Sequence, residues 1–127
     1  MNVEIKKHNG IVFTPEWVAD FMIDEVLNGK KIMGDEKILD AGCGEGIFAT
    51  IAAEKLSKLL GKKIEKVIEE NIYSADISEE YIEKTKRNLQ KLSKDKIKKI
   101  WIIINFCRQL KNHLLSFCEH IRGVIRN

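Results

Sequence analysis

The chain is 127 residues long, with 44% hydrophobic residues, 32% charged residues and one proline. This length suits one domain, and the composition excludes collagen-like and low-complexity proteins. The 22 Lys and Arg against 19 Asp and Glu leave a net charge of +3, too small by itself to indicate a polyanionic partner. The sequence therefore predicts a single globular domain over residues 1–127.

The three cysteines, at positions 43, 107 and 118, do not make a disulfide framework. No signal peptide and no membrane-spanning apolar run is evident, so we expect a cytoplasmic protein with reduced thiols and no membrane partner. Cys107 and Cys118 lie eleven residues apart, whereas zinc ligands usually pair at a spacing of two to four. We therefore predict no metal site.

The first predicted element is a helix from Pro15 to Leu27. Thr14 is a suitable N-cap, proline is tolerated at the first helical position, and Glu16 suits the positive end of the helix dipole. The apolar residues of this segment follow helical spacing and are expected to form one buried stripe: Trp17, Val18, Phe21, Met22 and Val26.

The next segment reads as a strand at residues 37–40, a glycine-rich loop, and a helix over 47–60. The charged stretch 62–71 is either a continuation of that helix or a second short helix. This order of elements is the opening of a βαβ unit.

A second strand is predicted at 72–76, followed by a helix that Ser78 caps. Residues 100–104 are uniformly apolar and β-favouring, which predicts a strand buried on both faces. Apolar residues recur every three or four positions in 106–127, which favours a C-terminal amphipathic helix. The alternation of strands and helices predicts an α/β domain with a parallel sheet and flanking helices.

Three glycines, Gly42, Gly44 and Gly46, lie between the first strand and its helix, where a ligand can approach the backbone closely. Asp40 closes the first strand and Asp76 closes the second. The carboxyl ends of neighbouring parallel strands open into the same crevice, so both acids are candidate ligand-binding residues. A carboxylate at the end of the second strand can accept hydrogen bonds from both hydroxyls of a ribose.

A dinucleotide fingerprint would place a glycine at position 47, which is Ile47 here. The segment Asp40-Ala41-Gly42-Cys43-Gly44-Glu45-Gly46 instead resembles motif I of the S-adenosylmethionine (AdoMet)-dependent methyltransferases. That resemblance implies a partial Rossmann-like methyltransferase fold with AdoMet as cofactor. It implies that the loop backbone lies under the methionine moiety, that Asp76 binds the ribose, and that Ile77 packs on the adenine. The cofactor-binding residues that it implies in this part of the chain are Asp40, Ala41, Gly42, Cys43, Gly44, Gly46, Asp76 and Ile77.

The stretch from Gly10 to Met22 resembles motif X of the adenine-N6 DNA methyltransferases of restriction–modification systems, with Phe13 and Thr14 at the matching positions. In that family this helix start precedes motif I and folds against the methionine end of AdoMet. The resemblance implies that 8–105 is a methyltransferase-like AdoMet-binding half, 106–127 a divergent helical tail, and DNA the substrate.

The same family carries an Asn-Pro-Pro-Tyr or Asp-Pro-Pro-Tyr tetrapeptide at its fourth strand, and the only proline here is Pro15. The resemblance therefore implies an apparently truncated chain without catalytic residues of its own, which acts on DNA through a full-length or complementing polypeptide. In the family's strand order 3-2-1-4-5 the first strand is left as an open edge. The C-terminal helix or a partner chain is expected to cover it.

Three other interpretations stay open at this point. The chain could belong to a methyltransferase of another substrate class, to a non-catalytic module that binds AdoMet or NAD, or to a structural protein that binds neither. The stretch 83–99 carries eight Lys and Arg against two acids, which suits either a solvated helix face or contacts with DNA phosphates.

Overall fold

The computed structural model describes residues 14–104. Predictions that concern 1–13 and 105–127, among them Phe13, the C-terminal helix and the cysteines at 107 and 118, lie outside the described residues. The elements in chain order are α1 (Glu16–Leu27), β1 (Ile38–Ala41), α2 (Ile47–Leu60), α3 (Ile64–Asn71), β2 (Ile72–Asp76), α4 (Glu79–Gln90) and β3 (Trp101–Ile104).

The three strands form one parallel sheet in the order β1-β2-β3. Asp40 lies opposite Ser74 in the β1–β2 pair, and Ala75 lies opposite Ile103 in the β2–β3 pair. The α/β fold predicted from the sequence is confirmed, and it corresponds to part of a Rossmann-like methyltransferase fold. Within residues 14–104 β1 is an edge strand, as the predicted strand order requires.

The core lies between the sheet and helices α2, α3 and α4. Helix α2 contributes three alanines to it, and these small side chains allow neighbouring helices to approach closely. Larger aliphatic side chains fill the rest of the space, and aromatic side chains contribute little. The largest apolar side chains that are fully buried are Leu56, Val67, Ile68, Ile72, Ile82 and Leu89.

Helix α1 packs on α2 through a different face from the one predicted. Its buried residues are Ala19 and Ile23, whereas Trp17 and Phe21 are 63% and 61% exposed. Lys55 of α2 forms an ion pair with Asp20 at 3.0 Å and a second one with Asp24. The Ala19–Ile23 side of α1 therefore faces α2, and the large apolar side chains Trp17 and Phe21 point outward.

Three further expectations need correction or completion. Thr14 is not the N-cap of α1, because Pro15 occupies that position and its carbonyl accepts the N–H groups of Val18 and Ala19 at 3.1 Å. Strand β3 is not buried on both faces, since Trp101 is 36% exposed. Stretch 62–71 contains a separate helix, because Gly61 ends α2 in the left-handed region with φ of +60°.

Asn71 fixes the segment that leads into β1, a role that the sequence did not indicate. Its side-chain nitrogen donates to the carbonyls of Gly34 at 3.1 Å and Glu36 at 2.6 Å, and its oxygen accepts from Lys62 at 3.0 Å. All the hydrogen-bonding groups of this buried amide are thereby used. Within the described part of the chain no helix is long and apolar enough to cross a bilayer.

Candidate functional site

The carboxyl ends of β1 and β2 bring Asp40 and Asp76 to the same edge of the sheet. The two strands are parallel neighbours, with Ala41 of β1 opposite Ala75 of β2. The negative charge of Asp76 contributes to raising the pKa of Asp40, so the two carboxylates share one electrostatic environment. The sequence predicted this convergence from the order of the strands alone.

The glycine loop folds back onto the end of β2. The N–H groups of Gly42 and Cys43 both donate to the carbonyl of Ala75, at 2.7 and 2.8 Å. The N–H of Gly44 donates to Oδ2 of Asp76 at 3.0 Å. The loop and the second acid are therefore one hydrogen-bonded unit, and these three N–H groups are already engaged by the protein itself.

Helix α4 holds the other side of the loop. The Thr85 hydroxyl donates to the Gly44 carbonyl at 2.8 Å, and the Asn88 side chain donates to the Glu45 carbonyl at 2.7 Å. Gly46 has φ of +87°, and a Cβ at that position would lie 3.0 Å from the Thr85 methyl group. Position 46 therefore requires glycine both for its backbone conformation and for the close approach of α4.

Gly42 has a different reason to be glycine. Its φ of +71° lies in the left-handed region, yet a Cβ there would meet no atom within 4 Å. The space next to this residue is open and the residue itself is exposed. The loop thus has a face that is packed against α4 at Gly46 and a face that a ligand can approach at Gly42.

Asp40 is a buried acid with unused hydrogen-bonding capacity. It is 7% exposed, and its Oδ2 has no hydrogen-bond partner among the described residues. Burial raises the pKa of Asp40 from 3.8 to about 6, with the backbone N–H of Ala49 opposing this and the charge of Asp76 adding to it. A buried carboxyl oxygen without a partner is costly and commonly marks a place where a ligand or water binds.

Asp76 is half-buried and its carboxylate is held in a fixed orientation. Oδ2 accepts from the Gly44 N–H at 3.0 Å, and Oδ1 accepts from the Ser78 N–H at 2.9 Å. Each oxygen of an ionised carboxylate can accept more than one hydrogen bond, so both retain capacity for a ligand. Ile77 follows directly and is 72% exposed, which places a large apolar side chain next to this acid.

Cys43 is suited to packing and not to nucleophilic chemistry. Burial raises the pKa of the Cys43 thiol to about 11, although the hydrogen bond from the Thr85 hydroxyl to its sulfur, at 3.3 Å, acts in the opposite direction. A thiol with this pKa is almost entirely protonated near neutral pH, and the thiolate is the reactive form.

The structure brings together most of the predicted site residues. The two acids, the glycine loop with Cys43, and Ile77 lie at one edge of the sheet, and Ala41 lies exposed where β1 meets the loop. Thr14 precedes α1, which packs on α2. Sequence reasoning missed Thr85 and Asn88 as supports of the loop, because nothing in their local sequence indicates that their helix approaches it.

Comparison with known families identifies the fold. A family profile described as a methyltransferase domain matches residues 32–113. No match was found among curated proteins. The matched range covers more than half of the chain and includes both acids, the glycine loop and all three strands. The chain therefore belongs to the methyltransferase-domain family.

Proposed function

We propose that this chain is the AdoMet-binding part of an adenine-N6 DNA methyltransferase and that it transfers methyl groups only within the full-length enzyme or together with a complementing polypeptide. The observation that carries the AdoMet part is the hydrogen-bonded unit of the glycine loop and Asp76, with Asp40 beside it. The adenine-N6 part rests on the order of motifs along the chain. Membership of the methyltransferase-domain family supports methyl transfer in general.

The residues present fit AdoMet. Its ribose needs acceptors for two hydroxyls, and Asp76 offers two oriented carboxylate oxygens. Its adenine needs an apolar surface, and Ile77 is exposed next to that acid. Its methionine part carries two positively charged groups, the ammonium and the sulfonium. The unpartnered carboxyl oxygen of Asp40 therefore suits a cationic ligand.

When bound, AdoMet supplies an electrophilic methyl group on a sulfonium sulfur. The chain's own residues orient the cofactor: Asp76 accepts the ribose hydroxyls and the open side of Gly42 admits the methionine moiety. Asp40 has a pKa of about 6 in the free protein. A nearby cationic ligand favours the ionised form, so binding below pH 6 releases a proton from Asp40 and affinity rises with pH up to that value.

DNA adenine is proposed as the methyl acceptor because three motifs follow one another as in that family. The Thr14-Pro15 helix start precedes Asp40–Gly46, and Asp76 follows. Helix α1 packs on α2, and α2 begins at the glycine loop. The helices that carry the first two motifs are therefore in contact, which supports the proposal. The tetrapeptide that would hold the adenine amino group is absent from residues 1–127, so under this proposal the rest of a full-length enzyme or a complementing polypeptide supplies it.

That absence favours a second candidate, an AdoMet-dependent methyltransferase that acts on another class of substrate. Such an enzyme would share the glycine loop and Asp76 but would not need the tetrapeptide. A non-catalytic module for dinucleotides is less favoured, because Ile47 occupies the position of the third fingerprint glycine. Competition between AdoMet and NAD for the purified protein separates that alternative.

Calorimetric titration of the full chain with AdoMet tests the cofactor part. Asp76→Ala removes charge-assisted hydrogen bonds and is expected to weaken binding by about 1–3 kcal/mol, or roughly 5- to 150-fold. Asp35→Ala is the matched control, since Asp35 is an exposed acid away from the loop. Absence of binding by the unaltered chain, or an equal loss in both variants, would overturn the proposal.

The acceptor is tested separately by methylation of duplex DNA. The chain is mixed with a polypeptide that carries the missing tetrapeptide, and N6-methyladenine is measured after incubation with AdoMet. Methylation that requires both polypeptides, and that Asp76→Ala reduces, is the expected result. AdoMet binding by the chain without methylation of DNA by any such mixture would favour the second candidate.

A further inference from the structure

A groove along α4 carries three cations on successive helical turns. It is lined by Glu45, Lys84, Arg87, Asn88 and Lys91 and has a volume of about 310 Å³. Positions 84, 87, 88 and 91 share one face of a helix because their spacing of three and four matches its period. Glu45 belongs to the glycine loop, so one wall of the groove is the loop itself.

The charges in this groove are unequal. Lys84 is engaged by two carboxylates, Glu45 at 3.6 Å and Glu80 at 3.4 Å. Arg87 and Lys91 are exposed and form no ion pair within the described part of the chain. Three cations against the one carboxylate that lines the groove leave it positive, and two of those cations are available to an external anion.

The arrangement fits an extended polyanion better than a small anion. A rise of 1.5 Å per residue spreads positions 84 to 91 over about 10 Å, a length over which one strand of a duplex presents about three phosphates. A site for inorganic phosphate would instead need donors that converge on one point. Arginine and lysine on an open surface, with an amide beside them, are the side chains that commonly contact phosphodiesters.

We propose that this groove binds the phosphodiester backbone of DNA alongside the glycine loop. The inference deepens the proposed function and rests on it, since it assigns part of the surface that holds the DNA substrate. Glu45 limits the interaction, because its carboxylate neutralises Lys84 and repels phosphates. The sequence of the basic stretch 83–99 suits either a solvated helix face or contacts with DNA phosphates. The proposal assigns phosphate contacts to Arg87 and Lys91 of that stretch.

The test is fluorescence anisotropy of a labelled random-sequence DNA duplex with the full chain at several salt concentrations. Arg87→Glu combined with Lys91→Glu is expected to weaken binding by about tenfold or more and to lower the slope of log affinity against log salt by about 2. Glu45→Gln is expected to strengthen binding. The control, Lys30→Glu with Lys31→Glu, makes the same change of charge at two exposed lysines away from the groove.

Failure of the groove and failure of the proposed function give different results. If the groove proposal alone is wrong, both double variants weaken DNA binding equally while AdoMet binding still depends on Asp76. If the proposed function alone is wrong, AdoMet does not bind while DNA binding still depends on Arg87 and Lys91. Displacement of DNA by millimolar inorganic phosphate would overturn the groove as a polyanion site, and equal displacement by polyglutamate would identify an acidic protein as its partner instead.

Discussion

The glycine loop and the outer face of α1 lie on two sides of the same domain and differ in how completely they are packed. The loop is hydrogen-bonded to β2 through Ala75 and Asp76 and to α4 through Thr85. The outer face of α1 instead exposes Trp17 and Phe21 to more than half of their surface. The loop is therefore packed by the residues around it, whereas the outer face of α1 is not covered within residues 14–104.

The two regions depend on different sequence patterns, namely local turn signals at the loop and apolar spacing on α1. At the loop, backbone conformation and local hydrogen bonds decide the structure, and these depend on residues close to the glycines. On α1, apolar spacing specifies an amphipathic helix but not which neighbour covers which side.

The largest expected effect is at the packed side, from Gly46→Ala. A Cβ there lies 3.0 Å from the Thr85 methyl group and the residue has φ of +87°, so strain and overpacking together cost about 4 kcal/mol of unfolding free energy. Gly29→Ala is the control, because its φ is +69° but its surroundings are open, and it should cost about 1–2 kcal/mol. Urea unfolding measures both, and equal losses would contradict the close packing of the loop on α4.

Asp40→Asn tests the environment of the loop through the pH dependence of the unfolding free energy. The pKa of Asp40 is raised from 3.8 to about 6 in the folded chain, so the unfolded chain ionises first as the pH rises. The unaltered protein should lose about 2 kcal/mol of stability between pH 4 and pH 6.5, and Asp40→Asn should lack that loss. Unfolding curves at several pH values check this, with exposed Asp35→Asn as a control that keeps the loss.

The side chain of Thr85 is expected to have an intermediate effect. Thr85→Val keeps the size of the side chain but leaves the Gly44 carbonyl without its 2.8 Å hydrogen bond, which should cost about 1–2 kcal/mol. Thr85→Ser retains the hydroxyl and should preserve that bond. Thermal unfolding of the two variants measures the difference, and a more stable valine variant would show that the bond does not hold the loop.

The smallest effect is expected on the other side, from Trp17→Gln with Phe21→Gln. Both side chains are largely exposed, so this double change should alter the unfolding free energy by less than about 0.5 kcal/mol per site. Ile23→Ala on the buried face of the same helix should cost about 2–3 kcal/mol. A large loss from the glutamine variant in denaturant unfolding would mean that this face of α1 is packed within the chain.

Much of the fold could be predicted because the residues that begin and end its helices and strands act locally. Ser78 is the N-cap of α4, with its hydroxyl accepting from the Tyr81 N–H at 3.4 Å, and β2 spans residues 72–76 as predicted. The convergence of Asp40 and Asp76 followed from parallel pairing. The supports at Thr85 and Asn88 could not be predicted, since they depend on how closely α4 approaches the loop.

The amino-acid sequence by itself determined the order of strands and helices, the glycine loop and the two acids, because capping, periodicity and left-handed turns act over a few neighbouring residues. Only the tertiary structure decided which face of α1 is buried and where the cations of α4 lie relative to Glu45. Those outcomes depend on contacts between residues far apart in the chain. The packing of Ala19 and Ile23 in the core, with the Lys55 ion pairs beside it, accompanies the first, and the docking of the loop on α4 accompanies the second.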